Sequence, residues 1–319
     1  MQIVFLDSFA ADQGAPAWAE VAPLGTVTLY PRTRPDELAA RCENAEALVT
    51  NKVVLGEALF AAAPKLRYIG VSATGTNIVD IEAARKRGIA VTNVPGYSTE
   101  SVAQLVFAHI LHFSTRVAAH DAAVKAGDWA RSPDFCLFLA PLVELAGKTL
   151  VVIGMGAIGG AVARIAAGFG MTVIAAQVPG RPTDASRMPL AEALPKADVV
   201  TLHCPLSRAT DKLVGADFLA KLRPGTILIN TARGGLLDEA AVVAAVESGR
   251  LGGLGVDVLG QEPPPAGHLF TKLAAPFASR VVITPHIAWG TAEARARLQR
   301  EVALNLAAYQ SGQKRNRVD

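Results

Sequence analysis

The sequence has only three cysteines, Cys42, Cys136 and Cys204, with no C-x-x-C spacing. That pattern excludes a disulfide framework and a thiolate metal centre, and leaves reduced core thiols as the expectation. Basic runs are equally scarce, Arg85-Lys86-Arg87 being the longest, and the formal net charge is +3. Nothing therefore points to nucleic acid or to an anionic membrane surface as a partner. No uncharged apolar run approaches the roughly 18 residues of a membrane-crossing helix. Met1-Gln-Ile-Val-Phe-Leu-Asp7 also lacks the basic segment and cleavage site of a signal peptide. The expected location is cytoplasmic. What is present is a chain of 319 residues, about half of them hydrophobic and 18% charged. That is enough for two domains with a sizeable core.

The chain is organised around the stretch from Gly147 to Gln177. Thr149–Ile153 is a charge-free, β-branched run, as expected of a strand buried on both faces. Gly154-Met-Gly156-Ala-Ile-Gly159 then leads into a helix of small residues over 157–168, and Met171–Ala176 reads as the next strand. This is the G-x-G-x-x-G fingerprint in the strand–turn–helix–strand setting that gives it meaning. Gly154 permits the tight turn, Gly156 lets backbone amides approach a pyrophosphate, and Gly159 allows close helix–strand contact. The start of the helix adds partial positive charge aimed at the phosphates. Missing is the acidic residue that would hold the adenosine ribose 2′-hydroxyl about 20 residues on. Gln177 stands there, and Arg181 follows in Gln-Val-Pro-Gly-Arg-Pro. With no carboxylate to repel a 2′-phosphate and an arginine able to pair with one, the balance tips toward NADP(H), with NAD(H) the alternative.

Ahead of the fingerprint, strands are expected at Gln2–Leu6, Thr26–Tyr30, Ala47–Thr50, Leu66–Val71 and Ile89–Val94. Helical stretches such as Asp36–Cys42, Glu57–Ala62 and Ile81–Arg87 lie between them. That alternation implies a second, smaller parallel α/β unit, whose ligands would sit in the loops after the strands. Ser72-Ala73-Thr74-Gly75-Thr76 is one such loop, with small residues that leave amides free for an anion; a ligand-free turn is the alternative. Lys52 follows the third strand; taken alone, it reads as solvated surface. Pro95-Gly-Tyr-Ser-Thr-Glu leads into a long apolar helix, about Ser98–Val117. His109, His112 and His120 fall on or near it without a third metal ligand, and read as packing or surface histidines. The segment from Asp128 to Gly147 reads as loop. No metal site is expected.

After the fingerprint come strands at Asp198–His203, Thr226–Asn230, Gly253–Val258 and Val281–Thr284, with a helix over Asp238–Ser248 and a final helix about Thr291–Gln310. Cys204 and Pro205 stop the first of these strands where an adenine ring could lie. Arg233, between a strand and two glycines, could clamp a carboxylate through both guanidinium nitrogens. His286 follows the last strand and could act as a general acid and base. Glu262 could pair with it and favour its charged form. Each residue alone has a structural explanation. Three such residues at the ligand edge of one sheet point to catalysis.

Taken together, these motifs resemble the D-isomer-specific 2-hydroxyacid dehydrogenases over nearly the whole chain. The matching stretches are Val71-Ser-Ala-Thr-Gly-Thr-Asn-Ile-Val-Asp80, Gly154–Gly159, His203-Cys-Pro-Leu206, Asn230-Thr-Ala-Arg-Gly-Gly235, Gly255-Val-Asp-Val258 with Glu262-Pro263, and Thr284-Pro-His-Ile-Ala-Trp289. Asn51-Lys-Val, Pro95-Gly-Tyr-Ser-Thr, Gln177–Pro182 and Trp289 look closest to the glycerate dehydrogenase/hydroxypyruvate (glyoxylate) reductase branch. The resemblance implies an α/β fold of two Rossmann-like, doubly wound parallel-sheet domains separated by a cleft. A flavodoxin-like substrate domain would span 1–98 plus 288–319, and an NAD(P)-binding domain 99–287. It implies Arg233, Glu262 and His286 as the catalytic three, and Lys52, Ala73, Thr74, Gly75, Arg233 and Trp289 at the substrate. Cofactor contacts would come from Gly154, Gly156, Ala157, Ile158, Gly159, Gln177, Arg181, Cys204, Pro205, Thr210, Thr231, Ala232 and Asp257. It further implies a homodimer and reversible reduction of a small 2-keto acid such as hydroxypyruvate or glyoxylate to the D-2-hydroxy acid. Alternatives are a non-catalytic NAD(H)-sensing protein of the same fold, and a phosphite- or formate-type dehydrogenase. Formate enzymes of this superfamily carry glutamine where Glu262 stands.

Overall fold

The computed structural model describes residues 1–14 and 18–319. The chain forms two compact units, one made of Met1–Ser98 and Trp289–Asp319, the other of Thr99–Ala288. Each is built on one parallel sheet. In the first unit the strands are β1 (Gln2–Phe5), β2 (Thr26–Leu29), β3 (Ala47–Thr50), β4 (Tyr68–Val71) and β5 (Ala90–Thr92), in the order β2-β1-β3-β4-β5. This is the flavodoxin-like doubly wound order. The second unit carries β6 (Thr149–Ile153), β7 (Thr172–Ala176), β8 (Val199–Leu202), β9 (Thr226–Asn230), β10 (Leu251–Val256) and β11 (Val281–Ile283), in the order β11-β10-β9-β8-β6-β7.

Burial follows position in the sheet, except at the edge strand β5, which is buried at all three residues. The inner strands β3, β4 and β8 are buried at every residue, whereas the edge strand β2 is mostly exposed and β7 and β11 are only half-buried. Helices cover both faces of such sheets, so continuous Val/Ile/Leu runs belong at the centre. Helix Thr99–Thr115 packs against β9, β10 and helix Ala157–Gly168. Its close approach to β10 depends on small residues there. A Cβ on Gly253 would lie 2.8 Å from the Phe113 ring, and one on Gly255 would lie 2.9 Å from His109.

Two expectations need correction. The helix expected over Ser98–Val117 ends at Thr115; Arg116 takes a left-handed conformation (φ 54°), and a second helix, Val117–Lys125, leaves at 56°. No glycine or proline marks that break. Cys136 is only partly buried, unlike Cys42 and Cys204, so it is not a core thiol. Among the described residues no single helix is long and apolar enough to cross a membrane.

The last helix, Ala292–Gln310, is capped by Thr291, whose hydroxyl accepts the Ala294 amide, and packs on β4 of the first unit. Beyond it the chain runs along β5. Val318 donates its amide to the Val91 carbonyl at 2.9 Å, and the Asp319 carboxylate accepts the Val91 amide at 2.8 Å.

Candidate active site

In the second unit the chain runs from β6 outward to β7, then crosses back to β8 on the other side of β6. The strand order reverses between β6 and β8, and ligands of open α/β sheets bind at the carboxyl ends of such strands. Gly154 (φ +106°) follows β6 directly against the chain leaving β8. A Cβ here would come within 2.6 Å of the His203 and Cys204 backbone. One on Gly159 would collide with the Gly154 carbonyl at 2.2 Å, which fixes the helix tightly on its strand. By contrast Gly156, the N-cap of helix Ala157–Gly168, has nothing within 4 Å of that position. The helix start, with Ala157 and Ile158, therefore offers its unpaired amides to open space.

Around this turn the other nucleotide candidates take distinct positions. Cys204 is buried, which pushes its thiol up and keeps it neutral and apolar. Pro205 is exposed beside it. Thr210 is buried with its hydroxyl committed to the local turn, donating to the Pro205 carbonyl at 2.7 Å and accepting the Ser207 amide at 2.8 Å. Gln177 is likewise engaged: its amide donates to the Pro182 carbonyl at 2.9 Å and accepts from the Asp184 amide at 3.3 Å. This folds the 177–184 segment into a turn with Arg181 exposed at its tip. A Cβ on Gly180 would lie 2.6 Å from that of Ala209, so Arg181 and Arg208 flank the contact between the two turns.

The ends of β9, β10 and β11 carry the acid–base candidates. Asn230, the last residue of β9, accepts the Ala232 amide at 3.0 Å and donates to the Arg233 carbonyl at 2.9 Å. It thereby shapes the loop that presents Arg233 to solvent. Thr231, between them, has a buried hydroxyl without a hydrogen-bond partner among the described residues. Gly234 then lies flat against the next loop, where a Cβ would fall 1.9–2.4 Å from the Leu259–Gly260 backbone. That contact brings the Arg233 loop against the one carrying Glu262. Glu262 accepts the Leu259 amide at 2.9 Å through one carboxylate oxygen and meets His286 Nδ1 at 2.5 Å through the other. Both side chains are partly exposed, 26% for His286 and 33% for Glu262.

His286 itself has a left-handed backbone (φ 55°), uncommon for a residue with a Cβ. Asp257, buried at the end of β10, explains how it is held. Its carboxylate accepts Thr284 Oγ1 at 2.6 Å and the amides of Ile287 and Ala288 at 2.9 and 2.8 Å, while its carbonyl accepts the His286 amide at 2.8 Å. Burial holds the Asp257 carboxyl above its ordinary value even against these donors. Asp257 thus acts within the protein as the clamp on the His286 loop.

In the first unit, Ala73, Thr74 and Gly75 follow β4, and their amides donate to no partner among the described residues. Lys52 is exposed after β3, in a segment whose amides at Asn51, Lys52 and Val53 all bond the Asp7 carboxylate at 2.6–3.2 Å. Trp289 lies edge-on to Tyr97, with ring centroids 6.4 Å apart. The sequence alone assigns no role to Asp7, or to Asn230 and Thr284, although the last two fall in the matching motifs. Each sits at or just past a strand end, the position where a short polar side chain can organise a loop, and that was the available signal.

A dinucleotide with a nicotinamide fits what is present. The open helix start suits a pyrophosphate, and the orphaned Thr231 hydroxyl at the end of β9 suits a polar ligand group. Comparison with known proteins agrees. The family model for the D-isomer specific 2-hydroxyacid dehydrogenase NAD binding domain matches residues 107–288. A hydroxypyruvate reductase of Blautia hydrogenotrophica is 35% identical over 326 residues, covering 100% of both chains. A glycerate dehydrogenase of Methylorubrum extorquens is 38% identical over 285 residues, covering 89% of each. Among solved structures, the TT0316 protein of Thermus thermophilus superposes with a TM-score of 0.85 at 35% identity, covering 100% of both chains. The chain belongs to the D-isomer specific 2-hydroxyacid dehydrogenase family, and is a nicotinamide-dependent oxidoreductase.

Proposed function

We propose that the physiological reaction is reduction of hydroxypyruvate or glyoxylate to the corresponding 2-hydroxy acid, with NADPH preferred over NADH. The observation that carries the chemistry is the 2.5 Å contact between His286 Nδ1 and Glu262. Glu262 engages one ring nitrogen and leaves Nε2 available to hand a proton to the keto oxygen, or to take it back in oxidation. Arg233, carried on a loop fixed by Asn230, holds the substrate carboxylate and steadies the developing alkoxide. The reduced nicotinamide, when bound, supplies the hydride. In the first unit, the Ala73–Gly75 amides and Lys52 are assigned to anionic substrate groups and Trp289 to the substrate side chain. Names of relatives, a hydroxypyruvate reductase and a glycerate dehydrogenase, support the substrate class.

Support for NADPH comes from the turn at the end of β7. It has a neutral Gln177 in place of an acid, and Arg181 and Arg208 flank its contact with the neighbouring turn. A homodimer is supported by an exposed apolar segment of the second unit, with Phe135 92%, Phe138 69% and Val117 68% exposed. The test is oxidation of NADPH and NADH, each with hydroxypyruvate, glyoxylate, pyruvate and phenylpyruvate. Fast turnover of NADPH with either of the first two supports the proposal. NADH preference removes the coenzyme argument. Absence of turnover with every pair, despite cofactor binding, would return the protein to the sensing class.

A further inference from the structure

His109 takes no part in the chemistry above, yet it is buried to 2% exposure on the helix Thr99–Thr115, directly beneath the segment that carries His286. Its Nε2 lies 3.3 Å from Thr284 Oγ1. That hydroxyl has one proton, committed to Asp257 at 2.6 Å, so it can only accept from His109. The ring must therefore carry a proton on Nε2. Burial drives the His109 pKa down to about 4, so the donor is a neutral imidazole. Eight residues earlier on the same helix, Ser101 donates its hydroxyl to the Ala288 carbonyl at 2.5 Å. One helix thus grips both ends of the segment 284–288, and Asp257 accepts the amides of His286, Ile287 and Ala288 within it. Between these fastenings sits His286 in its left-handed conformation, which persists only when its surroundings over-determine it.

We propose that His109 is a positioning residue for His286, acting through the Thr284 hydroxyl and the Asp257 carboxylate. With its N–H on the oxygen of Thr284, the hydroxyl proton has one polar direction left, toward Asp257. The carboxylate is then held where it receives the Ile287 and Ala288 amides. Replacing His109 by an apolar residue keeps the packing against Gly255 and removes that constraint. The inference rests on His286 being the acid–base group, and the experiment separates the two.

The experiment compares His109→Leu, His109→Gln, Thr284→Val, His109→Leu/Thr284→Val and His286→Gln as full-length enzymes with NADPH and hydroxypyruvate. His109→Leu and Thr284→Val should each lower kcat about tenfold, the scale of a small misplacement of a reacting group, with KM and NADPH affinity nearly unchanged. The double variant should fall no further than either single one. Gln can present an N–H near the place of Nε2, so His109→Gln should recover most of the loss. Wild-type kcat in His109→Leu, or equal loss in the Gln and Leu variants, overturns the proposal. Should the Leu variant not fold, His109→Met decides: lowered kcat beside a competent His109→Gln supports the role, and unchanged kcat overturns it. Full turnover by His286→Gln would instead sink the parent assignment, whatever the His109 variants do.

Discussion

His286 and His268 each meet a glutamate, at 2.5 and 2.9 Å, on neighbouring loops of the same unit. Their surroundings differ. His286 and Glu262 are partly open to solvent, whereas the His268 side chain is 7% exposed and its partner Glu239 22%. His268 uses both ring nitrogens, since Nδ1 accepts the Phe270 amide at 3.3 Å and Nε2 bonds Glu239. Among the described residues, His286 engages a partner only through Nδ1. A histidine with both nitrogens committed is a fastener; one with a nitrogen to spare, facing solvent, can exchange a proton with a ligand. The two pairs are also joined mechanically. Glu262 accepts the Leu259 amide and Glu239 accepts the Gly260 amide at 3.1 Å, so both carboxylates hold one dipeptide.

That junction supplies the largest expected effect. Gly234→Ala would drive a Cβ into the Leu259–Gly260 backbone, which has no flexible side chain to yield. The cost should reach or exceed the upper end of the roughly 1–3 kcal/mol of ordinary overpacking, and turnover should fall below detection. A folded, active Gly234→Ala enzyme would mean the junction is looser than its geometry. Next come the two histidines. His286→Gln should lose about 10³-fold in kcat while melting normally and binding NADPH, the range for removing a general acid. His268→Gln should do the reverse, losing about 2 kcal/mol of stability through a broken buried pair, with kcat nearly kept once folded. Calorimetry and steady-state kinetics on both variants give the comparison directly. Matching profiles would abolish the distinction drawn between them.

The smallest effect concerns a histidine without any carboxylate. His109 has a folded pKa near 4, below its ordinary 6.5, because burial disfavours its charged form. Below pH 6.5 the unfolded chain therefore binds a proton that the folded chain does not. Its contribution to stability is intact above 6.5 and is lost as pH falls toward 4. At pH 6 the loss should be about 1 kcal/mol, read from urea midpoints. His109→Leu should flatten that part of the pH profile; an unchanged slope would show that the ring is not desolvated.

What was legible in the sequence was what depends on local pattern. Thr149–Ile153, Ala157–Gly168, Ala47–Thr50 and Thr226–Asn230 match the structure residue for residue. Buried parallel strands must be continuous apolar runs, and glycines or polar turns punctuate them. The helix break at Arg116 was invisible, because an arginine gives no local warning of a left-handed conformation. The Asp7 clamp, the grip of Asp257 on residues 284–288 and the Glu239–His268 pair were likewise hidden. Each joins residues far apart in the chain, so no spacing rule reaches them. Glu262 and His286 are legible because each stands in a loop that follows a strand, within a stretch that matches a known motif.

The pairing of Val318 and Asp319 with Val91 has a consequence for biosynthesis. A ribosome delivers the N-terminal strands first, but Asp319 emerges 228 residues after the Val91 it bonds. The second unit, contiguous in sequence, can close its sheet during translation. The first must keep β5 with an open edge until the strip that runs along it arrives, although its own strands left the tunnel earliest. A nascent chain halted before residue 311 should accordingly hold a protease-resistant second unit beside a first unit that is still susceptible.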